Sequence, residues 1–376
     1  MHDRKLYQRI VRELYRGKVM VIYGARRVGK TTLSKEILAN QAREGKRTAY
    51  YNAELLPYSQ RFATTDPLKL REAVGNADIV VIDEAQHINN VGLSLKILVD
   101  TYPEIQIIAT GSSSFDLVNK IGEPLVGRAR LFQLQPLSIT EVAHNPIDTY
   151  SLLEPMMIFG GYPSVFGVHS QEAKRELDEI VGGYLYKDIF ALERVKHSKK
   201  LVELLQLLAL QMGNEVSYSE LATNLRIDRA TVEKYIDLLE KCFVVFTLRA
   251  FSRNCRKEIS KSCKVYFYDL GIRNCLIQSF NPFYARNDIG ALWENFCIVE
   301  RMKRNSFIGQ YANLYFWRTY DQQEIDYIEE YDGVLHAYEF KYSPKAKVKT
   351  PRLFLETYPS EFNVVHKDNW HEKFIK

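Results

Sequence analysis

Cysteine is scarce: five residues, at 242, 255, 263, 275 and 297, with no CxxC pair. That odd count argues against a disulfide framework or a zinc ribbon and makes a reducing cytosol the expected setting. Long apolar runs are missing too. None approaches the roughly 18 residues that read as a transmembrane helix, so no membrane partner is expected. The opening MHDRKLYQRIVREL carries charges where a signal peptide needs an apolar stretch. Charge of one sign is likewise not dominant: 51 Lys and Arg against 46 Asp and Glu leave a net +5. That excess is compatible with nucleic acid but does not argue for it alone. Internal repeats and low-complexity segments are absent. What remains is globular: 376 residues, 46% hydrophobic and 26% charged, which excludes wholesale disorder and suggests two or three domains.

The first positive signal is a β-branched run, Val19-Met20-Val21-Ile22-Tyr23, followed by Gly24-Ala25-Arg26-Arg27-Val28-Gly29-Lys30-Thr31-Thr32. The run reads as a buried strand, and the next segment matches G-x-x-x-x-G-K-[ST] in full. Gly24 and Gly29 permit the backbone to wrap a phosphate with its amides. Lys30 would reach the β- and γ-phosphates, Thr31 would offer a hydroxyl to Mg²⁺, and the following helix would point its N-terminus at the anion. A second apolar strand, residues 79–82, ends in Asp83-Glu84, where ligands of open α/β sheets bind. Asp83 would hold Mg²⁺, and Glu84 would polarise the attacking water. A third strand, 105–109, ends in Thr110-Gly111-Ser112. Thr110 and Ser112 either sense the γ-phosphate or cap the next helix. Residues 48–51 and 131–134 complete five strands, which with their helices predict a parallel αβα sandwich. Arg128, just before the last strand, is either a charge-stabilising finger at a subunit interface or a surface arginine.

GARRVGKTTL, VVIDEAQHI, ATGSSS, LVGRARLFQLQPLS and Gly160-Gly161-Tyr162-Pro163 together resemble the bacterial and archaeal AAA-type P-loop ATPases that end in domain of unknown function 4143. The likeness spans nearly the whole chain, in the family's order. It implies a Walker A motif at residues 24–32, a Walker B motif at Asp83-Glu84, a sensor at residues 110–112 and a finger candidate at Arg128. ATP rather than GTP follows from the resemblance alone.

Residues 151–212 turn helical and predict a small lid. Residues 217–225 and 229–240 read as two short helices around an Arg226-Ile227-Asp228 turn, with Asp228 as N-cap. In the second, Val232, Ile236 and Leu239 would face the core, while Arg229, Thr231, Lys234 and Tyr235 face outward. This is helix-turn-helix organisation. Two strands, 243–248 and 265–268, flank a segment holding Arg249, Arg253, Arg256, Lys257, Lys261 and Lys264 against one acid, Glu258. Strand, basic loop and strand predict a winged helix whose cations contact DNA phosphates. The other reading is a winged helix that holds protein partners.

Glu294 lies in a predicted helix over 290–300, and Asp326 in an apolar strand segment. Thirteen residues further comes Glu339-Phe340-Lys341, whose alternation puts Glu339 and Lys341 on one strand face. Asp326 and Glu339 are hard oxygen ligands for a metal that hydrolyses phosphodiesters, Glu294 a further ligand, and Lys341 a group to orient water. The set is similar to the PD-(D/E)xK nuclease superfamily, although Ile325 stands where that motif has proline. The resemblance implies a restriction-endonuclease-like α/β core with Mg²⁺ or Mn²⁺. Alternatively the charges serve structure.

The expected architecture is an ATPase domain at 1–150, a helical lid at 151–212, a winged helix at 213–285 and a nuclease-like domain at 286–376. The expected function is a cytoplasmic, Mg²⁺-dependent ATPase acting on duplex DNA as a switch or motor, assembled as a homo-oligomer, with metal-dependent cleavage as an open addition. The rival is a nucleotide-gated interaction protein with an inactive nuclease-like domain.

Overall fold

The computed structural model describes residues 3–111, 124–185, 198–253, 263–319 and 323–375. Ser112, Arg256 and Lys257 lie outside the described residues. Contacts divide the chain into two compact units: residues 1–137 with 241–243, and residues 138–240 with 244–376.

The first unit is built on five parallel strands: β1 (Val19–Tyr23), β2 (Thr48–Asn52), β3 (Ile79–Asp83), β4 (Gln106–Gly111) and β5 (Ala129–Gln133). Their order is β2-β3-β4-β1-β5. Val19 to Ile22 and Ile79 to Ile82 have no exposed surface. Continuous apolar strands of this kind need cover on both faces, which the helices supply. The registers Ile22↔Thr110 and Ile82↔Ala109 bring the ends of β1, β3 and β4 to one edge.

The second unit opens with a short helix, Ile139–Val142, followed by helices Pro146–Phe159, Ser170–Glu179 and Ser198–Leu210. The Gly160-Gly161 pair serves packing here. Gly161 N–H donates to Asp269 Oδ2 at 2.7 Å, and a Cβ on Gly160, whose φ is +76°, would strike that carboxylate. Helices Tyr218–Leu225 and Arg229–Lys241 follow, joined by a three-residue turn in which Arg226 takes φ +55°. Asp228 caps the second helix, its Oδ1 accepting from Thr231 N–H at 2.7 Å. Val232, Ile236 and Leu239 are buried as expected, and Tyr235 joins them at 5% exposure instead of facing outward. Three residues beyond Val232 and four before Leu239, it widens the apolar stripe.

Among the described residues, seven strands form one sheet in this unit, in the order β12-β11-β10-β9-β7-β8-β6. They are β6 (Glu215–Val216), β7 (Val245–Ala250), β8 (Cys263–Phe267), β9 (Asn313–Arg318), β10 (Glu324–Tyr331), β11 (Val334–Phe340) and β12 (Ser360–Val365). The wing strands β7 and β8 and the C-terminal strands are therefore continuous, through the parallel pair β7–β9. Helix Ile289–Ile308 precedes β9, and helix Arg352–Thr357 sits between β11 and β12. The C-terminal part thus runs α-β-β-β-α-β.

Candidate nucleotide site and a second charged centre

The loop after β1 depends on its glycines. Gly24 has φ +150°, and a Cβ there would drive into the backbone carbonyl oxygen of Leu134. Gly29 has φ +99° and opens the helix Lys30–Arg43. Only glycine takes such angles at little cost. Lys30 is buried, and its ammonium donates to the carbonyl oxygens of Gly24 (3.0 Å) and Ala25 (2.8 Å). Arg4 braces the loop from outside the motif. Its guanidinium donates to Val28 O at 2.9 Å and Gln135 O at 2.5 Å. Within the loop Arg26 is half-buried and Arg27 exposed, while Thr31 is half-buried and Thr32 exposed at the start of the helix.

Asp83 is the hub. Its Oδ2 accepts from Thr31 Oγ1 at 2.8 Å and from the Tyr50 hydroxyl at 2.6 Å, and its Oδ1 accepts from Thr110 Oγ1. Burial and the hydrogen bond to Asp83 hold the Tyr50 phenol above its ordinary range. Glu84 takes φ +51°, its N–H donates to Thr110 Oγ1 at 3.1 Å, and its Oε2 accepts from Gln86 Nε2 at 2.5 Å. Motifs some 50 and 80 residues downstream of the loop thus converge on it. The Thr31 hydroxyl and the Asp83 carboxylate make a hard-oxygen pair, which suits Mg²⁺. Tyr50, Gln86 and Arg4 were not singled out by sequence reasoning. Tyr50 lies on a strand whose period-two alternation aims its side chain, but no spacing announces Arg4.

Arg128 is placed elsewhere. The register Val19↔Ala129 puts it at the start of β5, beside the start of β1. The loop follows the other end of β1, roughly 16 Å away at 3.3 Å per residue. Its Nε pairs with Asp100 Oδ1 at 2.6 Å on the surface. Arg128 therefore does not reach the loop of its own chain, and a finger role requires a second copy.

Of the described candidate DNA residues, Arg229, Lys234 and Arg253 are exposed and Thr231 is half-buried. Arg229 pairs with Glu233 at 2.8 Å, Lys234 faces out, and Thr231 is engaged in the Asp228 cap. Arg253 lies 3.6 Å from Glu330.

Glu294, Asp326, Glu339 and Lys341 do come together. Lys341 Nζ lies 2.6 Å from Glu339 Oε1 and 3.6 Å from Asp326 Oδ2, which also accepts from Phe340 N–H at 2.8 Å. A second ammonium stands among them. Lys264 Nζ is 2.6 Å from Glu324 Oε1, 3.4 Å from Glu294 Oε1 and 3.9 Å from Asp326 Oδ1. Counted above with the phosphate-facing cations, Lys264 is instead 3% exposed and turned inward. The Tyr266 hydroxyl donates to Glu294 Oε1 at 2.5 Å. Burial, then repulsion from Asp326, pushes both the Glu294 and Glu339 carboxyls up to about 7, with Lys264 and Lys341 opposing. Burial works against the Lys264 charge, but Glu294, Asp326 and Glu324 outweigh it and raise its pKa. Glu339 Oε2 is buried and has no hydrogen-bond partner. Among the described residues, no group of three or more His, Cys, Asp or Glu side chains is arranged to hold a metal.

Comparison with known proteins supports an AAA-type domain in the first part of the chain. The family model for an AAA domain matches residues 16–143, and those for domains of unknown function DUF8612 and DUF4143 match 150–282 and 289–373. An uncharacterised protein of Mycobacterium tuberculosis is 29% identical over 89% of this chain and 72% of its own. One from Methanocaldococcus jannaschii is 26% identical over 84% of this chain and 73% of its own. Among solved structures, AMPPCP-bound DnaA from Aquifex aeolicus aligns with 20% identity and a TM-score of 0.32, over 63% of this chain and 87% of that one. The chain therefore carries an AAA-type domain in its N-terminal part and a DUF4143 segment at its C-terminal end.

Proposed function

We propose that the chain is a Mg²⁺-dependent ATPase whose cycle acts as a switch or motor on duplex DNA. The observation that carries the ATPase reading is the Asp83 carboxylate, held by Thr31, Tyr50 and Thr110 beside a glycine-shaped loop. Lys30 and the loop amides would bind the phosphates. Mg²⁺, when bound through Thr31 and Asp83, supplies charge neutralisation at the phosphate oxygens. Glu84 would orient the attacking water and take its proton. Arg128 would act only in trans, within a homo-oligomer. The DNA part rests on the capped helix Arg229–Lys241, with Arg229 and Lys234 exposed.

Steady-state ATP hydrolysis tests this in wild type, Lys30→Ala and Glu84→Gln, with and without linear duplex DNA at low salt. Lys30→Ala is expected to lose nucleotide binding or turnover, and Glu84→Gln to bind ATP and turn over at least 100-fold more slowly. DNA is expected to stimulate the wild type. Undiminished turnover in both variants would sink the assignment. Turnover indifferent to DNA would favour the rival, a nucleotide-gated interaction protein. One observation already leans that way on the nuclease question: Lys264 stands inside the C-terminal carboxylate cluster.

A further inference from the structure

Lys264 and Tyr266 project from the same face of β8, and both meet Glu294. Glu324 and Asp326 arrive from β10, and Glu294 from helix Ile289–Ile308. Three carboxylates from two elements thus surround an ammonium supplied by a third. The Lys264 side chain is 4% exposed. Its Nζ lies 5.5 Å from the centre of the Phe316 ring, so the charge is held on an aromatic face as well. The ammonium carries three donors and the carboxylates offer the acceptors, so the charge is both paired and hydrogen-bonded. A divalent cation binding Glu294 and Asp326 would have to share this small volume with a fixed positive charge. Glu294 and Asp326, with the Lys264 ammonium between them, therefore do not fit a metal.

We propose that Lys264 is a tethered replacement for the divalent cation of a nuclease-like centre: the wild-type centre takes no Mg²⁺ or Mn²⁺, and removing this one side chain opens it to metal. The inference is independent of the ATPase reading, since it concerns a centre that no nucleotide is needed to assemble. It goes beyond the rival function by naming the group that silences the centre. Metal-dependent phosphodiester cleavage is then outside the activity of the wild-type chain.

The test is Mn²⁺ binding to the nucleotide-free full chain, read by the electron paramagnetic resonance of free Mn²⁺. Comparison with Asp326→Asn removes any contribution from the nucleotide loop. Wild type and Asp326→Asn are expected to give the same isotherm. Lys264→Ala is expected to bind one additional Mn²⁺ per chain, lost again when Asp326→Asn is added. Mn²⁺ bound by wild type and lost in Asp326→Asn would overturn the proposal, as would a folded Lys264→Ala that gains no site. Should Lys264→Ala not fold, Lys264→Gln keeps the stem, loses the charge and carries the same expectation. The wild-type comparison decides independently of either variant.

Discussion

Thr110 offers the sharpest test of how the nucleotide site is assembled, because one hydroxyl links the two acidic residues. It donates to Asp83 Oδ1 and accepts from Glu84 N–H at 3.1 Å, and the residue has no exposed surface. Thr110→Val keeps the shape and deletes both bonds. A hydrogen bond to a charged group contributes about 1.5–3 kcal/mol, and an orphaned buried N–H costs about 1–3 kcal/mol. The two losses share one atom and will not add fully, so a destabilisation of about 2–4 kcal/mol is expected. Against a typical total of about 5–15 kcal/mol the unit stays folded. Catalysis should suffer separately, because Glu84 at φ +51° loses the contact that fixes its backbone. We expect kcat to fall roughly 10- to 100-fold, about 1.4–2.7 kcal/mol of barrier, with KM changed little. Thr110→Ser should restore most of it. All three tryptophans, Trp293, Trp317 and Trp370, lie in the second unit, so their fluorescence does not follow the first. Hydrogen exchange at the Glu84 amide does, and its protection should drop in Thr110→Val. Wild-type kcat together with lost protection would refute the idea that Thr110 positions Glu84.

Gly24→Ala combines a backbone angle of +150° with a collision against a carbonyl that cannot move aside. It should cost about 3 kcal/mol or more and abolish nucleotide binding by equilibrium titration. Arg301 donates to Glu329 Oε2 at 3.0 Å, to Phe374 O at 2.5 Å and to the Tyr338 hydroxyl at 3.2 Å, and Glu329 is fully buried. Arg301→Met should destabilise the second unit by about 3–5 kcal/mol in denaturant titration, and adding Glu329→Gln should recover part of that. Glu240 is mostly buried and its carboxyl is raised chiefly by burial, with Thr247 donating twice to Oε1 at 2.8 Å. A raised folded-state pKa gives stability that is present below the unfolded value and lost as pH rises through the folded one. Glu240→Gln should therefore gain stability relative to wild type as pH rises from acid to neutral; an unchanged difference would contradict the shift.

The nucleotide loop was legible because its requirements are local. Gly24 and Gly29 sit where the backbone needs angles that side chains resist, and Lys30 and Thr31 follow at fixed spacing. Asp83 and Thr110 were legible because a parallel sheet brings strand ends to one edge, whatever the sequence distance. The same rule, carried to strand beginnings, places Arg128 away from the loop, but only once β5 is known to lie beside β1 in parallel register. Lys264 was misread for a different reason. In sequence it closes a run of cations, and its acidic partners lie 30 to 62 residues downstream. The usable signal was period two on β8, which pairs Lys264 with Tyr266 on one face and so points it toward the carboxylates. Tyr235 shows the same limit on a helix: a stripe counted from aliphatic residues alone omits an aromatic that belongs to it.

Placing Lys264 inside the second unit also narrows the case for DNA. A buried ammonium paired with Glu324 contributes nothing to phosphate binding, because counterion release counts only charges that the nucleic acid can meet. Among the described residues, the cations left to that reading are Arg229 and Lys234 on the helix and Arg249 and Arg253 at the strand. Their pairing does not remove them. The Arg229–Glu233 bridge is solvent-exposed at i, i+4 spacing, and Arg253 is 59% exposed beside Glu330. Such surface pairs contribute only a few tenths of a kcal/mol up to about 1, less than a phosphate contact returns at low salt. Exchange of Glu233 for a phosphate is therefore open to Arg229, whereas exchange at Lys264 would strand three carboxylates. Exposure, more than the count of positive residues in the segment, decides which cations can serve a duplex.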